Sequence, residues 1–176
     1  MRNNNQTIVL GGGCFWCMEA IFNELEGIIN VTAGYAGGFT RDPSYSDVCA
    51  GTTGHAEAIS LEYDPEKISL EDILDVFFLT HDSTSLNRQG ADVGTQYRSI
   101  ILYTSEQQRE QVDTFINRVR GDYDQPVVTE VKPLERFYTA EEYHQRYFER
   151  NQNLPYCRLV ISPKLDKLRK LRKKAG

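Results

Sequence analysis

The chain has 176 residues, 40% hydrophobic and 26% charged, with a formal net charge of −5 and four cysteines. That length makes one domain, 1–176, with a core that needs no disulfide staples. No apolar run is long enough to cross a bilayer, and the start Met1-Arg2-Asn3-Asn4-Asn5-Gln6 has no signal-peptide core; the expectation is a cytoplasmic protein without a membrane partner, whose cysteines are catalytic or bind metal.

Thr7-Ile8-Val9-Leu10 reads as a buried strand, ended by Gly11-Gly12-Gly13. A helix follows from about Phe15 to Leu25, with Ile21, Phe22 and Leu25 on one face. Ile28 to Tyr35 is a second strand, and Gly37-Gly38 and Asp42-Pro43 mark a long loop reaching His55. Ala56 to Tyr63 alternates small or apolar with polar residues and reads as a third strand. Ser69 is placed to N-cap the next helix, with Asp72 at the capping-box position and Ile73, Leu74, Phe77 and Phe78 facing the core. A second long loop, His81 to Gln96, precedes a fourth strand, Tyr97 to Tyr103. Ser105 to Arg120 is an amphipathic helix, with Val112, Phe115, Ile116 and Val119 at helical spacing. Val127 to Val131 reads as a fifth strand, Glu141 to Arg150 as a helix and Arg158 to Ile161 as a last short strand. The tail Lys164 to Gly176 has seven Lys/Arg against one Asp, about +6, leaving about −11 for the rest. It reads as a solvated terminal helix, and the acidic remainder argues against a nucleic-acid partner.

The first six elements run β-α-β-β-α-β. The expected fold class is therefore α+β, a two-layer α/β sandwich with a ferredoxin-like βαββαβ core and long irregular loops. Loops of that length in a small domain usually carry function.

Cys14 falls where the first strand gives way to the first helix, facing unpaired N–H groups and the positive end of the helix dipole. Both favour the reactive thiolate. The glycines before it are not a nucleotide loop, since Trp16 occupies the third glycine position of G-x-G-x-x-G and no Lys-Ser/Thr follows; they allow close backbone approach. Cys14-Phe15-Trp16-Cys17 admits three readings: a thioredoxin-like dithiol, half of a zinc site, or a nucleophile with a neighbouring resolving thiol. Two bulky aromatics sit badly with the first, and the lack of a second C-x-x-C or paired His spacing with the second. Glu57, in Gly54-His55-Ala56-Glu57, is either a desolvated general acid or an exposed strand-edge carboxylate. Tyr45 and Tyr97 can donate to a developing oxyanion, or pack with their hydroxyls on backbone carbonyls. Cys49 reads as a small apolar residue buried near the site.

Gly13-Cys14-Phe15-Trp16, Gly54-His55-Ala56-Glu57, Asp92-Val93-Gly94-Thr95-Gln96-Tyr97-Arg98-Ser99 and Glu141-Glu142-Tyr143-His144-Gln145, in that order, resemble the peptide methionine sulfoxide reductase A family from about Ile8 to Cys157. The resemblance implies Cys14 as nucleophile, Glu57 as acid, Tyr45 and Tyr97 as the phenols that hold the sulfoxide oxygen, Asp92 as a supporting carboxylate acting through hydrogen bonds, and Phe15 and Trp16 as the wall around the S-methyl group. Many members carry Gly where Cys17 stands, and Cys157 matches a resolving position of some; Lys164 to Gly176 stands where others have a glycine-rich tail with a recycling cysteine. Ser83 replaces a usual Pro. The implied chemistry is reduction of the S epimer of methionine sulfoxide, free or in peptides and proteins, as repair of oxidative damage. Cys14 becomes a sulfenic acid, Cys17 (first choice) or Cys157 closes a disulfide, and thioredoxin restores the thiols. No metal or organic cofactor is called for, and a monomer is expected.

Overall fold

A computed structural model describes the backbone of residues 4–175 and the side chains of 4–173; the first three residues, part of the stretch read for a leader, and Gly176 lie outside the described residues. Along the chain come β1 (Gln6–Gly11), α1 (Phe15–Asn23), β2 (Ile28–Ala36), a short α2 (Tyr45–Cys49), β3 (Ala56–Tyr63) and α3 (Leu70–Thr80). A small hairpin, β4 (Arg88–Gln89) with β5 (Asp92–Val93), and a 3-10 turn (Thr95–Tyr97) lead into β6 (Ile100–Tyr103). α4 (Glu106–Val119), β7 (Glu130–Pro133), β8 (Phe137–Thr139), α5 (Tyr147–Arg150) and α6 (Ser162–Ala175) follow.

The main sheet has the order β7-β6-β1-β3-β2-β8. Its centre, β6-β1-β3-β2, is antiparallel throughout. β3 splits the β1-α1-β2 unit and β1 splits β3-α3-β6, which is the ferredoxin-like arrangement, and the α+β fold is as expected. β7 extends one edge in parallel with β6, and β8 extends the other antiparallel to β2. Side chains alternate across β3: Ile59, Leu61 and Tyr63 join the main core with residues of α1, α3, α4 and α6, while Ala56 and Ala58 meet Val9, Ala36, Ile100 and Leu102 on the reverse face. Glu57 has the parity of Ile59, so period two alone directs its carboxyl into the helical layer.

Local chemistry sets the helix ends. Ser69 Oγ accepts the Asp72 N–H (3.0 Å) and Asp72 accepts the Ser69 N–H (3.3 Å), the expected capping box with Asp in the usual Glu place. Ser44 and Asp47 repeat it on α2, a helix the periodicity does not reveal because it is five residues long. Each cap contributes about 1 kcal/mol.

Four assignments need correction. The fourth strand starts at Ile100, because Thr95–Tyr97 winds into a 3-10 turn. The fifth is shifted to Glu130–Pro133; Val128 instead donates its N–H to the Ser83 carbonyl (2.8 Å). Glu141 to Arg150 is not one helix, because Arg146 adopts φ 52°, ψ 38° and separates a 3-10 turn at Glu142–His144 from α5. Arg158 to Ile161 is helical, not a strand. Cys157, Ile161, Leu165 and Leu168 are all buried, a stripe of helical spacing, and the segment widens into a π turn with Ser162 N–H bonded to the Cys157 carbonyl. Pro163 follows; it has no N–H to continue an α ladder, and its ring crowds the preceding turn. The basic tail is thus a helix solvated on one side and packed on the other, with Arg169 paired to Glu24 on α1's last turn (2.8 Å). Among the described residues no helix is long and apolar enough to cross a membrane.

Candidate active site

Cys14 is the N-cap of α1, extended at φ −65°, ψ 128°; its carbonyl accepts from the N–H groups of Cys17 (3.1 Å) and Met18 (3.3 Å). Two glycines make the strand-to-helix turn possible. A Cβ on Gly11 would stand 2.9 Å from the Glu57 carbonyl oxygen, so only glycine lets β1 lie this close to β3. Gly13 has φ +93°, a conformation open to glycine, and donates its N–H to the Tyr97 carbonyl (3.2 Å). The second long loop arrives there too: Gln89 packs on Gly13 and holds Asp82 through both its amide atoms (2.8 and 2.6 Å).

Glu57 comes from the middle of the sheet. It is 2% exposed, which excludes the strand-edge reading. Its Oε1 accepts the Phe15 N–H (3.2 Å), one of the orphan donors of α1's first turn. Burial raises its pKa from 4.5 to about 8; the Phe15 N–H resists, and the nearby Asp92 and Cys17 charges add to the rise. The carboxyl therefore carries a proton at neutral pH, a rare state for a glutamate and the one a general acid needs.

The thiols depart from the expectation drawn from helix position. Cys14 is half-buried and accepts no capping N–H on its sulfur. Burial, the hydrogen bond with Cys17 and the Glu57 charge together push its pKa well above the usual thiol range. Cys17 moves the other way, to about 7, drawn down first by the hydrogen bond from Cys14 against burial, then by Lys164 and the Tyr156 hydroxyl; its Sγ lies 3.5 Å from that hydroxyl. Cys17 is thus the readier thiolate of the resting pair. Cys157 is fully buried and near enough to Cys17 to feel its charge. Cys49 is exposed, not buried: it ends α2 and shares a hydrogen bond with the Tyr45 hydroxyl.

Tyr45 opens α2, its backbone N–H held by Glu141 (3.1 Å), and Tyr97 ends the 3-10 turn before β6. Both phenols are half-buried, and burial followed by neighbouring negative groups keeps them protonated far above neutral pH; Tyr97 feels Glu57, Asp92 and Cys14. Asp92, on β5, lies close enough for its charge to act on Glu57 and Tyr97. Phe15 is fully buried and Trp16 half-buried. The Trp16 indole N–H donates to His144 Nδ1 (3.0 Å), and its ring stacks on Tyr147 at 3.7 Å and 8°. His144 also packs on Phe15 (5.1 Å) and Tyr45 (4.4 Å). Because Nδ1 accepts, Nε2 carries the proton of the neutral ring, and Nε2 is buried without a partner among the described residues. A groove of ≈ 570 Å³ is lined in part by Gln89, Asp92, Lys164 and Tyr156, the last of which reaches Cys17 through its hydroxyl. Among the described residues no three His, Cys, Asp or Glu side chains gather as a metal site would need.

Sequence reading gave no role to His144, Tyr35, Glu141 or Tyr156. Tyr35 pairs with Glu57 across β2 and β3 and donates its hydroxyl to Glu141 (2.9 Å), the same carboxylate that holds Tyr45. The motif Glu141 to Gln145 was the available signal, but its partners lie about a hundred residues away.

A thiol pair, a protonated carboxylic acid and two phenols thus meet beside an aromatic wall. That set can attack a soft electrophilic atom, protonate the oxygen it carries and shelter an alkyl group. The family model described as peptide methionine sulfoxide reductase matches residues 6–175. The chain belongs to this family. A peptide methionine sulfoxide reductase MsrA of Natronomonas pharaonis is 54% identical over 165 residues, covering 93% of each chain. The crystal structure of Mxr1 from Saccharomyces cerevisiae in reduced form superposes with a TM-score of 0.83 at 34% identity, over 87% of this chain and 89% of that one. Mxr1 has also been crystallised in complex with Trx2, and that structure matches with a TM-score of 0.59 at 25% identity, over 81% of this chain and 84% of Mxr1. The family match spans the thiols, Glu57 and both tyrosines of this reductase, so its site lies within the shared fold.

Proposed function

We propose that this reductase converts the S epimer of methionine sulfoxide, free or protein-bound, to methionine by thiol chemistry centred on Cys14, and that it works in the cytoplasm as a monomer in the repair of oxidised protein. The observation that carries the mechanism is Glu57: a buried carboxyl, protonated at neutral pH, bonded to the N–H of the residue that follows the nucleophile.

Cys17, the readier thiolate, accepts the Cys14 proton along the hydrogen bond between them; the transfer is uphill at rest and is drawn forward as the Cys14 sulfur bonds to the sulfoxide sulfur. The Cys14 thiolate attacks the sulfoxide sulfur while Glu57 protonates the oxygen and Tyr45 and Tyr97 donate to it. The protonated oxygen then passes from the methionine sulfur to the Cys14 sulfur: a Cys14 S–O bond forms as the methionine S–O bond and the bond between the two sulfurs break, so methionine leaves and Cys14 is left as a sulfenic acid. Phe15 and Trp16 shelter the S-methyl group, and Asp92 favours the protonated form of Glu57. Cys17 then condenses with the sulfenic acid, forming a disulfide and releasing water. Cys157, buried next to Cys17, is the second resolving thiol and takes over the disulfide when the core around it opens. A dithiol of the thioredoxin type returns two electrons and two protons; the Mxr1–Trx2 complex supports that reductant for a related protein. No metal or organic cofactor takes part.

The test is single turnover on the separated epimers. The S epimer is expected to give one methionine per enzyme within seconds and the R epimer none, with Cys14→Ser inert toward both. Turnover of the R epimer, or activity in Cys14→Ser, contradicts the assignment.

A further inference from the structure

Glu19 sits one turn beyond Cys14 on α1, is 1% exposed and has no place in the chemistry above. Its Oε1 accepts the N–H of Tyr147 (3.2 Å), and the Arg146 N–H faces the same carboxyl. Arg146 is where the chain reverses through a left-handed conformation, unusual for a residue with a Cβ. The other side of this turn is fixed to β2: Gln145 accepts the Ala33 N–H (3.0 Å) and donates to the carbonyls of Ala33 (2.9 Å) and Ala140 (3.0 Å). The reversal is therefore clamped between β2 and α1, and its product is Tyr147 lying flat on Trp16.

We propose that Glu19 is a positioning residue for substrate: by anchoring the Arg146–Tyr147 backbone to the helix that bears Cys14, it sets Tyr147 against Trp16 and so fixes the shape of the pocket that receives the S-methyl group. The proposal rests on the assignment of Trp16 to that pocket. α1 carries Cys14, Trp16 and Glu19, so nucleophile, wall and anchor move as one body. Burial raises the carboxyl's pKa, which makes glutamine a close substitute for it. Glu19 Oε2 is buried without a partner among the described residues, so a glutamine amide there gives up no bond that the acid makes.

Trp16 is the only tryptophan in the chain, so its fluorescence reads this contact directly. Glu19→Ala is expected to shift Trp16 emission to the red, to increase quenching by acrylamide, and to raise KM for methionine sulfoxide about tenfold while kcat changes by less than about threefold, the pattern of lost uniform binding. Glu19→Gln is expected to keep the wild-type emission and a KM within about threefold. Tyr147→Leu, which leaves the carboxyl and its N–H partner in place, is expected to raise KM alike, and the double variant Glu19→Ala/Tyr147→Leu to be no worse than the worse single one. Unchanged emission and KM in Glu19→Ala overturn the proposal, as does a wild-type KM in Tyr147→Leu; the latter reads the pocket even if Glu19→Ala does not fold. A fall in kcat alone with unmoved emission also overturns it. Failure of the wild type to reduce methionine sulfoxide at all would instead sink the functional reading and leave the Trp16 signal to be judged by itself.

Discussion

Replacing Glu57 by glutamine should slow the enzyme and stabilise it, and the second effect should depend on pH in a defined way. The carboxyl's pKa is 4.5 unfolded and about 8 folded. Between those values the native state holds a proton that the unfolded state has released, so stability falls as pH rises, by about 1.36 kcal/mol per pH unit. The protein is free of this penalty below about pH 4.5 and bears all of it above about pH 8. Across the whole window the penalty reaches about 5 kcal/mol as an upper figure, and relaxation around the site lowers it to about 2–4 kcal/mol. Glutamine keeps the acceptor for the Phe15 N–H and never ionises, so it escapes the penalty. Urea midpoints of both proteins from pH 5 to pH 9 should nearly coincide at the acid end and diverge as pH rises, with Glu57→Gln the more stable. Single-turnover reduction should fall about 10²- to 10⁴-fold in the same variant. A stability difference that stays flat with pH, or a variant that reduces sulfoxide at the normal rate, would refute the reasoning that Glu57 is a buried, protonated acid.

Three further outcomes are expected. Cys17→Ser should release one methionine per enzyme and then stall, with Cys14 trapped as a sulfenic acid detectable by a dimedone adduct and mass spectrometry; normal recycling by thioredoxin would make Cys157 the first resolver. Tyr45→Phe and Tyr97→Phe should each lower kcat about 10- to 100-fold, with KM little changed, because the bond they donate strengthens only as the oxygen gains charge; an equal rise in KM with constant kcat would reduce them to binding groups. Ser83→Ala should raise stability by about 1 kcal/mol in urea titrations, since it removes a buried hydroxyl that has no partner among the described residues; a loss of that size would show that the hydroxyl is bonded.

Local rules were enough for the elements that the site stands on. The alternation of Ala56 to Tyr63 marked the third strand but left Glu57 open between a desolvated acid and an exposed edge carboxylate, while the strand-glycine-helix join placed Cys14 at the start of α1. The Ser69–Asp72 box was legible because capping involves residues three apart. What failed was long-range. A helix start speaks for a thiolate at Cys14, but it is silent about the burial of that sulfur and its hydrogen bond with Cys17, which raise its pKa, and about Glu57, which the sheet brings to the same turn. Cys49 looked buried from its context, Tyr45-Ser46-Asp47-Val48, yet Val48 is the residue of α2 that turns inward. Arg158 to Ile161 looked like a strand in isolation; only with Cys157, Leu165 and Leu168 does the helical stripe show. His144 had a motif but no role, since its contact with Trp16 spans 128 positions.

The central claim is that Cys14 takes the oxygen and a second thiol of the same chain releases it as water. Counting free thiols in the reduced protein before and after adding methionine sulfoxide, with no external reductant, tests this most directly. The account predicts two thiols lost for each methionine formed, with the Cys14–Cys17 disulfide recovered in a single peptide. Methionine formed with all four thiols intact would contradict it.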